Sequence, residues 1–313
     1  MQYRLMLEIS DGGSKKTVSF MTCLGFSFEK ALYVPYTKFS GIFYADGAPE
    51  FTAAGVTAVR FVLDGREIHY GMPDKVSIEK SVYGYRLRVT SRGYTLLLAQ
   101  NEPYPRINSN VDLVSLCTGN LDCDKIIYEE PTPTVGNIYV KEGSTVWEAA
   151  VAYCIKASGR YPYIKGANQI YMNLRLVYDV DYTDCIITEE MNSSDSSMIL
   201  SDVYMRELGE DYPFEAHDGA AAEKGIVRSR YYPLDMQWLF DPQVGLQHKL
   251  DHSNRGSRVF GMTYEGWKKE DLMYKAVGGG AVSGMRINFI RIVGSKKGIF
   301  TTVRAYDDRY GQK

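Results

Sequence analysis

Residues 59–103 decide the fold class, and they read VRFVLDGREIHYGMPDKVSIEKSVYGYRLRVTSRGYTLLLAQNEP. Hydrophobic and polar residues alternate on both sides of Asp64-Gly65, a dipeptide that strongly signals a β-hairpin. The alternation continues in the next two runs, where Val76 and Ile78 share one face. The apolar residues that follow predict a short helix ending near Pro103. This segment therefore predicts antiparallel strands followed by a helical turn.

Strand-like runs continue toward both ends of the chain. Upstream, YRLMLEIS and TVSFMTCLGFSF flank the turn DGGSKK. Downstream, the runs are CIITEE, DSSMILSDVYMREL and KGIVRSRYY. Residues 285–307 predict a final hairpin that turns between Gly294 and Gly298. Most of the chain is thus predicted to be strand.

One helix stands out in EGSTVWEAAVAYCIKASGRYPYIKGANQIYM, residues 142–172. Thr145 and Glu148 have the spacing of a capping box, and Gly159 is placed for a left-handed C-cap. The apolar stripe at helical spacing consists of Val146, Ala149, Ala150, Tyr153, Cys154 and Ala157. YPYI, a polar turn and QIYMNLRLVY then predict a small hairpin. A unit of about 35 residues is too small to hold its own core, so it must pack on something else.

Two stretches interrupt this pattern. Residues 106–140 read as irregular, with Pro131 and Pro133 marking a boundary, and residues 241–262 read as polar and rich in turns. The predicted organisation is a β region, a small α/β insert and a second β region. The predicted bounds are 1–105 for the first region, 106–178 for linker and insert, and 179–313 for the second region.

Composition limits the function classes. The chain has 313 residues, of which 45% are hydrophobic, and its net charge is −2, so no general attraction to nucleic acid or anionic membranes is expected. Its 25 tyrosines suit strands and interfaces. The five cysteines show no CxxC spacing and predict free thiols in a bacterial cytoplasm, although a Cys117–Cys123 disulfide stays open. The N-terminus reads as a strand rather than a signal peptide, and no apolar run is long enough to span a membrane.

Three segments together resemble the baseplate hub proteins of contractile-tailed phages, Mu-like prophages and related bacteriocin particles (tailocins). The double hairpin and short helix of residues 59–103 resemble the end of the family's first barrel-like half. VKEGSTVWEAAVAYCIKASGRYPYI is similar to the family's G-[DS]-T-[LV]-W-E helix and hairpin insert. ITEEMNSSDSSMILSDVYMRE stands where the family returns to its second barrel. The resemblance covers roughly residues 60–260, but residues 230–259 have no counterpart in it.

The resemblance implies a mainly β (α+β) fold with two β-barrel-like, tube-type domains and a small α/β insert domain. It implies a homotrimer, a structural protein of the virion tail baseplate or a phage-like contractile injection particle. Its two barrels per protomer would present pseudo-sixfold symmetry to the tail tube protein on one side and receive the trimeric spike protein on the other. Other baseplate proteins and the tape measure protein are further implied partners. No enzyme activity, cofactor, membrane or specific nucleic acid is implied.

Two other function classes stay open. The segment 141–178 could be a LysM-like module that binds cell-wall glycan, since GSTVWEAA with Trp147 also resembles the opening of that module. LysM has a strand–helix–helix–strand order, however, and here a hairpin follows a single helix. A hydrolase with an unrecognised site is the other class, although no GxSxG motif occurs.

Three motifs suggest ligand sites, and each also has a structural explanation. His248 and His252 in HKLDH could share a metal, but the general-base Glu of zinc proteases is missing and the stretch reads as solvated turns. Asp179, Asp181, Asp184 and Glu190 faintly resemble a calcium loop, yet Asp184 replaces the required glycine and the residues alternate as in a strand. The glycines at 278, 279, 280 and 284 lack the Gly-Lys-Ser/Thr of a phosphate loop and predict a flexible connection or tube-contacting loop.

The remaining candidates are single residues. Cys154 lies on the apolar stripe and is expected to be inert, His69 lies in a predicted strand, and His217 is placed in a polar loop. Glu189 and Glu190 are adjacent residues of a predicted strand and so point to opposite faces of it. They therefore cannot flank one glycosidic bond as the carboxylate pair of a glycosidase does. The basic residues Arg92, Lys296 and Lys297 lie in isolated turns and predict no DNA site. The sequence therefore predicts no catalytic, cofactor-binding or metal-binding residue.

Overall fold

The structure is a computed structural model that describes residues 2–11, 14–45, 47–172, 178–209 and 211–306. The first strands are β1 (Tyr3–Asp11), β2 (Ser14–Phe20), β3 (Thr22–Ala31), β4 (Lys38–Ala45), β5 (Val56–Leu63), β6 (Arg66–Ser81) and β7 (Gly84–Gly93). The middle of the chain forms α1 (Leu97–Gln100), β8 (Arg106–Val111), α2 (Leu113–Thr118), β9 (Ile127–Tyr128), β10 (Val135–Val140), α3 (Val146–Ser158), β11 (Tyr163–Lys165) and β12 (Gln169–Tyr171).

The later elements are β13 (Asp179–Asp181), β14 (Ile187–Ser194), β15 (Asp202–Met205), β16 (Phe214–His217), α4 (Gly219–Glu223), β17 (Ser229–Tyr232), α5 (Pro242–Asn254), β18 (Arg258–Glu265), β19 (Lys275–Val277), β20 (Ile287–Ser295) and β21 (Gly298–Tyr306). Short 3-10 turns lie at Ala53–Gly55, Tyr94–Leu96, Met236–Trp238 and Gly280–Val282. The mainly β class with a smaller helical part is confirmed.

Strands from both β regions belong to one sheet of eleven strands, in the order β14-β18-β21-β20-β3-β4-β7-β6-β5-β1-β2. The two regions meet where β20 pairs with β3, from Phe289 opposite Ala31 to Gly294 opposite Phe26. Gly294 is required there, because a Cβ would lie 2.1 Å from the Phe26 ring. The first and last parts of the chain are therefore joined by backbone hydrogen bonds.

The seven N-terminal strands of this sheet must curve strongly. Strands β2 and β3 lie at opposite ends of their order, yet only Met21 separates them in the chain. Within the described residues β2 and β3 do not pair with each other, so the curved sheet is not closed into a barrel. The barrel-like shape expected of the first region is thus present as a curl, with the hydrophobic side chains inside it.

The hairpins predicted from residues 59–103 are confirmed. Asp64 and Gly65 both adopt positive φ (44° and 76°), which is the conformation that joins β5 to β6 in a tight turn. Strand β6 then pairs with β7 as far as Ser81 opposite Gly84. The 3-10 turn and α1 form the predicted short helix after β7. The final hairpin is also confirmed, because β20 and β21 turn between Ser295 and Gly298.

Helix α3 begins and ends where the sequence predicts. Thr145 Oγ1 accepts a hydrogen bond from the Glu148 N–H (3.2 Å), and Glu148 Oε2 accepts from the Thr145 N–H (2.7 Å). Gly159 is left-handed and closes the C-terminus. The predicted hairpin follows as β11 and β12, and β9 joins it in parallel. Residues 173–177 of the predicted hairpin segment lie outside the described residues.

Two groups of buried hydrophobic side chains form the interior. The first fills the curved sheet, where Phe61 lies 4.6 Å from Phe39 and 4.7 Å from Phe26 between ring centroids. The second surrounds α3 and includes side chains from residues 200–250, among them Leu246. Since side chains on both sides of residue 178 share the second core, the boundaries at 105 and 178 stay a prediction.

Two predicted irregular stretches are ordered, which corrects the sequence analysis. Residues 242–254 form helix α5 rather than turns: Pro242 occupies the first turn, where its missing N–H is harmless, and Leu246 and Leu250 lie one turn apart in the second core. Within 106–140, β8 pairs with β10, and α2 begins at Asp112, whose side chain accepts from the Ser115 N–H.

Candidate functional site

The eleven-stranded sheet ends in two strands with free edges. Among the described residues, β2 pairs only with β1, and β14 pairs only with β18. The outer backbone N–H and C=O groups of both strands are therefore available to another strand. Every residue from Thr188 to Met198 is exposed, so the β14 edge projects into solvent. Exposed edges of this length are uncommon in monomers, because they invite pairing with other chains.

The two edges carry opposite charges. Strand β2 contributes Lys15 and Lys16, and strand β14 contributes Glu189 and Glu190, all exposed. Lys16 is partly engaged with Glu50 at 4.0 Å. Lys15 and Glu189 have no ion-pair partner among the described side chains. The sheet therefore has a basic end and an acidic end.

A cleft of about 750 Å³ lies between α3 and α5. Strand β10 and the 3-10 turn at Met236–Trp238 line one part of it, and residues 195–200 and 253–257 line another. Half-buried Tyr161 contributes aromatic surface, and the buried Trp238 lies behind the wall. The cleft thus lies between the helix–hairpin unit and the segment for which the hub resemblance offers no counterpart.

His248 and His252 both lie on α5 at the edge of this cleft rather than in turns; His252 is exposed, as predicted, whereas His248 is partly buried. Their ring centroids are 6.0 Å apart, and Tyr161 lies 6.2 Å from one and 6.4 Å from the other. Burial lowers the pKa of His248 to about 4, and burial together with the Arg255 charge lowers the pKa of His252 to about 4. Arg255 donates to His252 Nδ1. Across the described residues, no group of three or more His, Cys, Asp or Glu side chains has the geometry to hold a metal ion.

The glycine run is packed rather than free. Gly278, Gly279 and Gly280 all have positive φ, and a Cβ on Gly278 would lie 3.0 Å from the Thr183 backbone nitrogen. Glu190 accepts a hydrogen bond from the Ala281 N–H (3.1 Å) and so holds the end of the run. These contacts explain the glycines by packing, and they differ from the flexible connection that the sequence predicts.

The acidic residues of the calcium-like pattern are separated. Asp179 and Asp181 lie on β13, which pairs in parallel with β19, whereas Glu190 lies on β14. Asp181 accepts hydrogen bonds from the backbone and hydroxyl of Thr183, which lower its pKa. The carboxylate of Asp181 is therefore occupied by its own turn.

Trp147 and Cys154 on α3 are both buried in the protein interior. Trp147 is only 5% exposed and packs near Tyr161, with ring centroids 6.5 Å apart, so its face is unavailable to a sugar. Cys154 is buried as predicted, and burial raises the pKa of its thiol well above the usual value. All five cysteines lie in the described part of the chain and are free.

His69 is a satisfied core residue. Ser91 Oγ donates to the Met72 carbonyl (2.7 Å), so His69 Nε2–H must donate to Ser91 Oγ (2.8 Å). Nδ1 is left to accept from the Thr37 hydroxyl (2.8 Å). Burial lowers the pKa of His69 to about 3, which keeps the ring neutral.

His217 lies at the end of strand β16 rather than in a polar loop. Its Nδ1 is 2.6 Å from Asp202 Oδ1, and its Nε2 is 3.5 Å from Glu215 Oε1. The hydrogen bond to Asp202 raises the pKa of His217. In register, Tyr204 and Tyr231 continue the same face of this small sheet, with rings stacked 4.8 Å apart.

Of the basic residues predicted to lie in isolated turns, Arg92 belongs to a strand instead. Arg92 lies on β7 and makes a bidentate ion pair with Asp74, with Nη2 2.7 Å from Oδ1. Lys296 and Lys297 are exposed at the β20–β21 turn. No described helix is long and apolar enough to cross a membrane.

The free sheet edges and the cleft are the features that sequence reasoning missed. The charges of β2 and β14 are visible in the sequence, but their positions at the two ends of one sheet are not. For the cleft, the usable signals were Asp241-Pro242 as a helix start and the four-residue spacing of Leu246 and Leu250.

No protein-family model and no curated protein matches the chain. Solved structures do match. The tail protein from Neisseria meningitidis MC58 is similar over 99% of this chain and 98% of its own, with a TM-score of 0.72 and 15% identity. The 43 kDa tail protein of prophage MuSo2 from Shewanella oneidensis is similar over 100% of both chains, with a TM-score of 0.72 and 13% identity.

A third structure is the E. coli c3393 protein, a component of the type VI secretion system with structural similarity to the T4 bacteriophage tail proteins gp27 and gp5. Its TM-score is 0.53 at 11% identity, over 93% of this chain and 76% of that chain. At such identities the likeness establishes the fold alone. The chain has the fold of phage tail proteins.

Proposed function

We propose that the chain is a structural component of a phage tail or tail-like injection particle, and specifically the baseplate hub. In this role three copies would join the sixfold tail tube to the threefold spike. The fold supports a tail role, because it matches a tail protein and a prophage tail protein over nearly their whole length. The match to a type VI secretion component that is similar to T4 tail proteins supports the same role.

The observation that carries the trimer is the pair of oppositely charged free edges on one sheet. If two β14 edges met, Glu189 and Glu190 would face like charges, and two β2 edges would oppose lysines in the same way. A β2 edge against a β14 edge brings opposite charges together. The charges therefore favour head-to-tail association, which produces a closed ring when the rotation between copies is right.

Three copies suit the proposed adaptor role. Each protomer contributes an N-terminal group of seven strands and a C-terminal group of four strands to its sheet. Three protomers would then present six strand groups around the axis, a number that matches a hexameric tube. Tail tube protein, spike protein, other baseplate proteins and the tape measure protein are the proposed partners, and no catalysis is assigned to the chain.

The mass of the purified protein tests the trimer. We expect a trimer by light scattering, and we expect Lys15→Glu and Glu189→Lys each to shift it toward monomer. The double variant Lys15→Glu/Glu189→Lys should recover the trimer, because it restores opposite charges across the interface. Lys224→Glu is the matched control, since Lys224 is exposed and belongs to neither edge strand.

A parent protein that stays monomeric at micromolar concentrations would refute the trimer. Equal masses for both edge variants and the Lys224 control would refute the role of the edges. Particle images then distinguish the hub from other tail positions, because a hub must lie on the axis between tube and spike.

A further inference from the structure

Two buried polar groups in the cleft have no protein partner. Gln237 is 9% exposed, and its Oε1 accepts a hydrogen bond from the Tyr139 N–H (2.8 Å), so its Nε2 is the unengaged end. Ser257 is 3% exposed and lines the same cleft. Neither Gln237 Nε2 nor Ser257 Oγ has a hydrogen-bond partner among the described residues. A buried donor without a partner destabilises a protein, so both groups favour a bound polar ligand.

The charges around the cleft are unevenly engaged. The acidic side chains already have partners: Glu148 caps α3, Asp195 accepts from the Ser197 N–H, and Asp235 pairs with Lys249 at 3.1 Å. The side-chain cations of Lys141 and Arg230, both exposed, have no ion-pair or hydrogen-bond partner in the part of the chain that the structure describes. Four cations (Lys141, Arg230, Lys249 and Arg255) and three carboxylates (Glu148, Asp195 and Asp235) line the cleft, so its net charge is +1 and favours an anionic ligand.

The walls suit an extended backbone. Strand β17, which carries Arg230, pairs only with β15 among the described strands, so its other edge is open beside the cleft. Across the cleft, the Gln237 side-chain oxygen accepts a hydrogen bond from the Tyr139 N–H on β10, as the carbonyl of a neighbouring strand would. A free strand edge and a side-chain amide with an unused N–H both bind peptide carbonyl groups.

We propose that the cleft binds an extended acidic peptide segment of a partner protein. The peptide backbone would accept from Gln237 Nε2 and pair along β17, while the hydroxyl of Ser257 meets a polar group. Its carboxylates would pair with Lys141 and Arg230, and the half-buried Tyr161 would cover its apolar side chains. This binding goes beyond the hub role and needs only one protomer, so it stands or falls separately from the trimer.

Fluorescence anisotropy with a labelled peptide of alternating Glu and Val, eight residues long, tests the site. We expect saturable binding that weakens with added NaCl, and little binding of the matching Lys–Val peptide. Lys141→Glu and Arg230→Glu should each weaken binding about tenfold or more. Lys224→Glu is the control, because it makes the same charge change outside the cleft.

Ser257→Ala separates binding from stability. Removal of an unpartnered buried hydroxyl should leave the urea midpoint equal or higher, while peptide binding falls severalfold. A parent protein that binds neither peptide, equal binding of both peptides, or the same loss in Lys224→Glu would refute the proposal. Displacement of the acidic peptide by chitotetraose would assign the cleft to glycan instead. Light scattering of the same samples reports the trimer independently.

Discussion

Lys30 and Asp271 form a buried ion pair that joins strand β3 to the loop between β18 and β19. Lys30 Nζ also donates to the Gly166 carbonyl (2.8 Å), and Asp271 Oδ2 accepts from the Gly166 N–H (2.7 Å). Gly166 lies in the turn between β11 and β12. The pair therefore fixes the hairpin of the helix–hairpin unit to the large sheet.

Replacement of either partner should destabilise the protein, but by different amounts. Asp271→Asn leaves the Lys30 ammonium buried without a countercharge, which costs about 3–5 kcal/mol. Lys30→Met should cost less, because Asp271 keeps Arg66 (3.4 Å) and two backbone N–H donors. Urea unfolding measures both variants. A smaller loss for Asp271→Asn than for Lys30→Met would contradict this account of the pair.

Glu270 should make stability depend on pH. Burial raises the pKa of its carboxyl to about 7, although Tyr264 and the Lys268 N–H donate to it. A carboxyl whose folded pKa lies above its unfolded value binds more protons when folded, so stability falls as pH rises from about 4.5 to 7. We expect Glu270→Gln to remove that fall, which is on the order of 3 kcal/mol.

Urea midpoints at pH 5 and pH 8 measure this effect. Glu102→Gln is the control, because Glu102 is exposed and should keep the parent's pH dependence. Identical pH profiles for the parent and Glu270→Gln would show that the Glu270 carboxyl does not titrate in this range.

The four histidines should titrate in two separate ranges. Asp202 raises the pKa of His217 above 6.5, whereas the pKa values of His248 and His252 fall to about 4 and that of His69 to about 3. An NMR titration should therefore show one imidazole that titrates above pH 6.5. Asp202→Asn should lower that value, and an unchanged titration would exclude the Asp202 hydrogen bond as its cause.

Gly278→Ala should destabilise the protein more than Gly284→Ala. Both glycines have positive φ, which costs an alanine about 1 kcal/mol. A Cβ at 278 would also press on the Thr183 backbone, whereas nothing lies within 4 Å of a Cβ at 284. The difference between the two urea midpoints isolates the packing contribution, and equal losses would show that the 278–280 run is not packed as described.

Thr145→Ala should lower the free energy of unfolding by about 1 kcal/mol through loss of the α3 cap. Ala150→Asp should be far more damaging, because Ala150 is fully buried in the second core and the new carboxylate would have no partner. Thermal unfolding measures both. An Ala150→Asp variant that melts like the parent would contradict the packing of this face.

Local signals in the sequence predict the local structure well. Asp64-Gly65 identifies the β5–β6 hairpin, and Thr145, Glu148 and Gly159 delimit α3, because turns and caps depend on residues close in the chain. Helix α5 is missed because it buries few side chains, among them Leu246 and Leu250, and contains Gly245, a weak helix former. The structure shows why glycine is needed at position 245: a Cβ there would lie 2.3 Å from the Trp238 side chain.

Long-range relationships are the part that the sequence does not reveal. The pairing of β20 with β3 and the two ends of the sheet depend on segments that are far apart in the chain. The cleft likewise forms between α3 and α5, which are far apart in the chain. The unpartnered Nε2 of Gln237 can be identified only from the structure, in which the Tyr139 N–H bonds to the Oε1 of the same side chain. Neither feature has a local sequence signal.

The pairing of β3 with β20 also sets an order of events during synthesis. About 250 residues separate the two strands, so β3 leaves the ribosome long before its neighbour exists. At 5–20 residues per second, roughly 13–50 seconds pass before β20 is made. Throughout that interval the sheet of the nascent chain is incomplete. A truncated product that lacks β20 and β21 keeps this incomplete sheet.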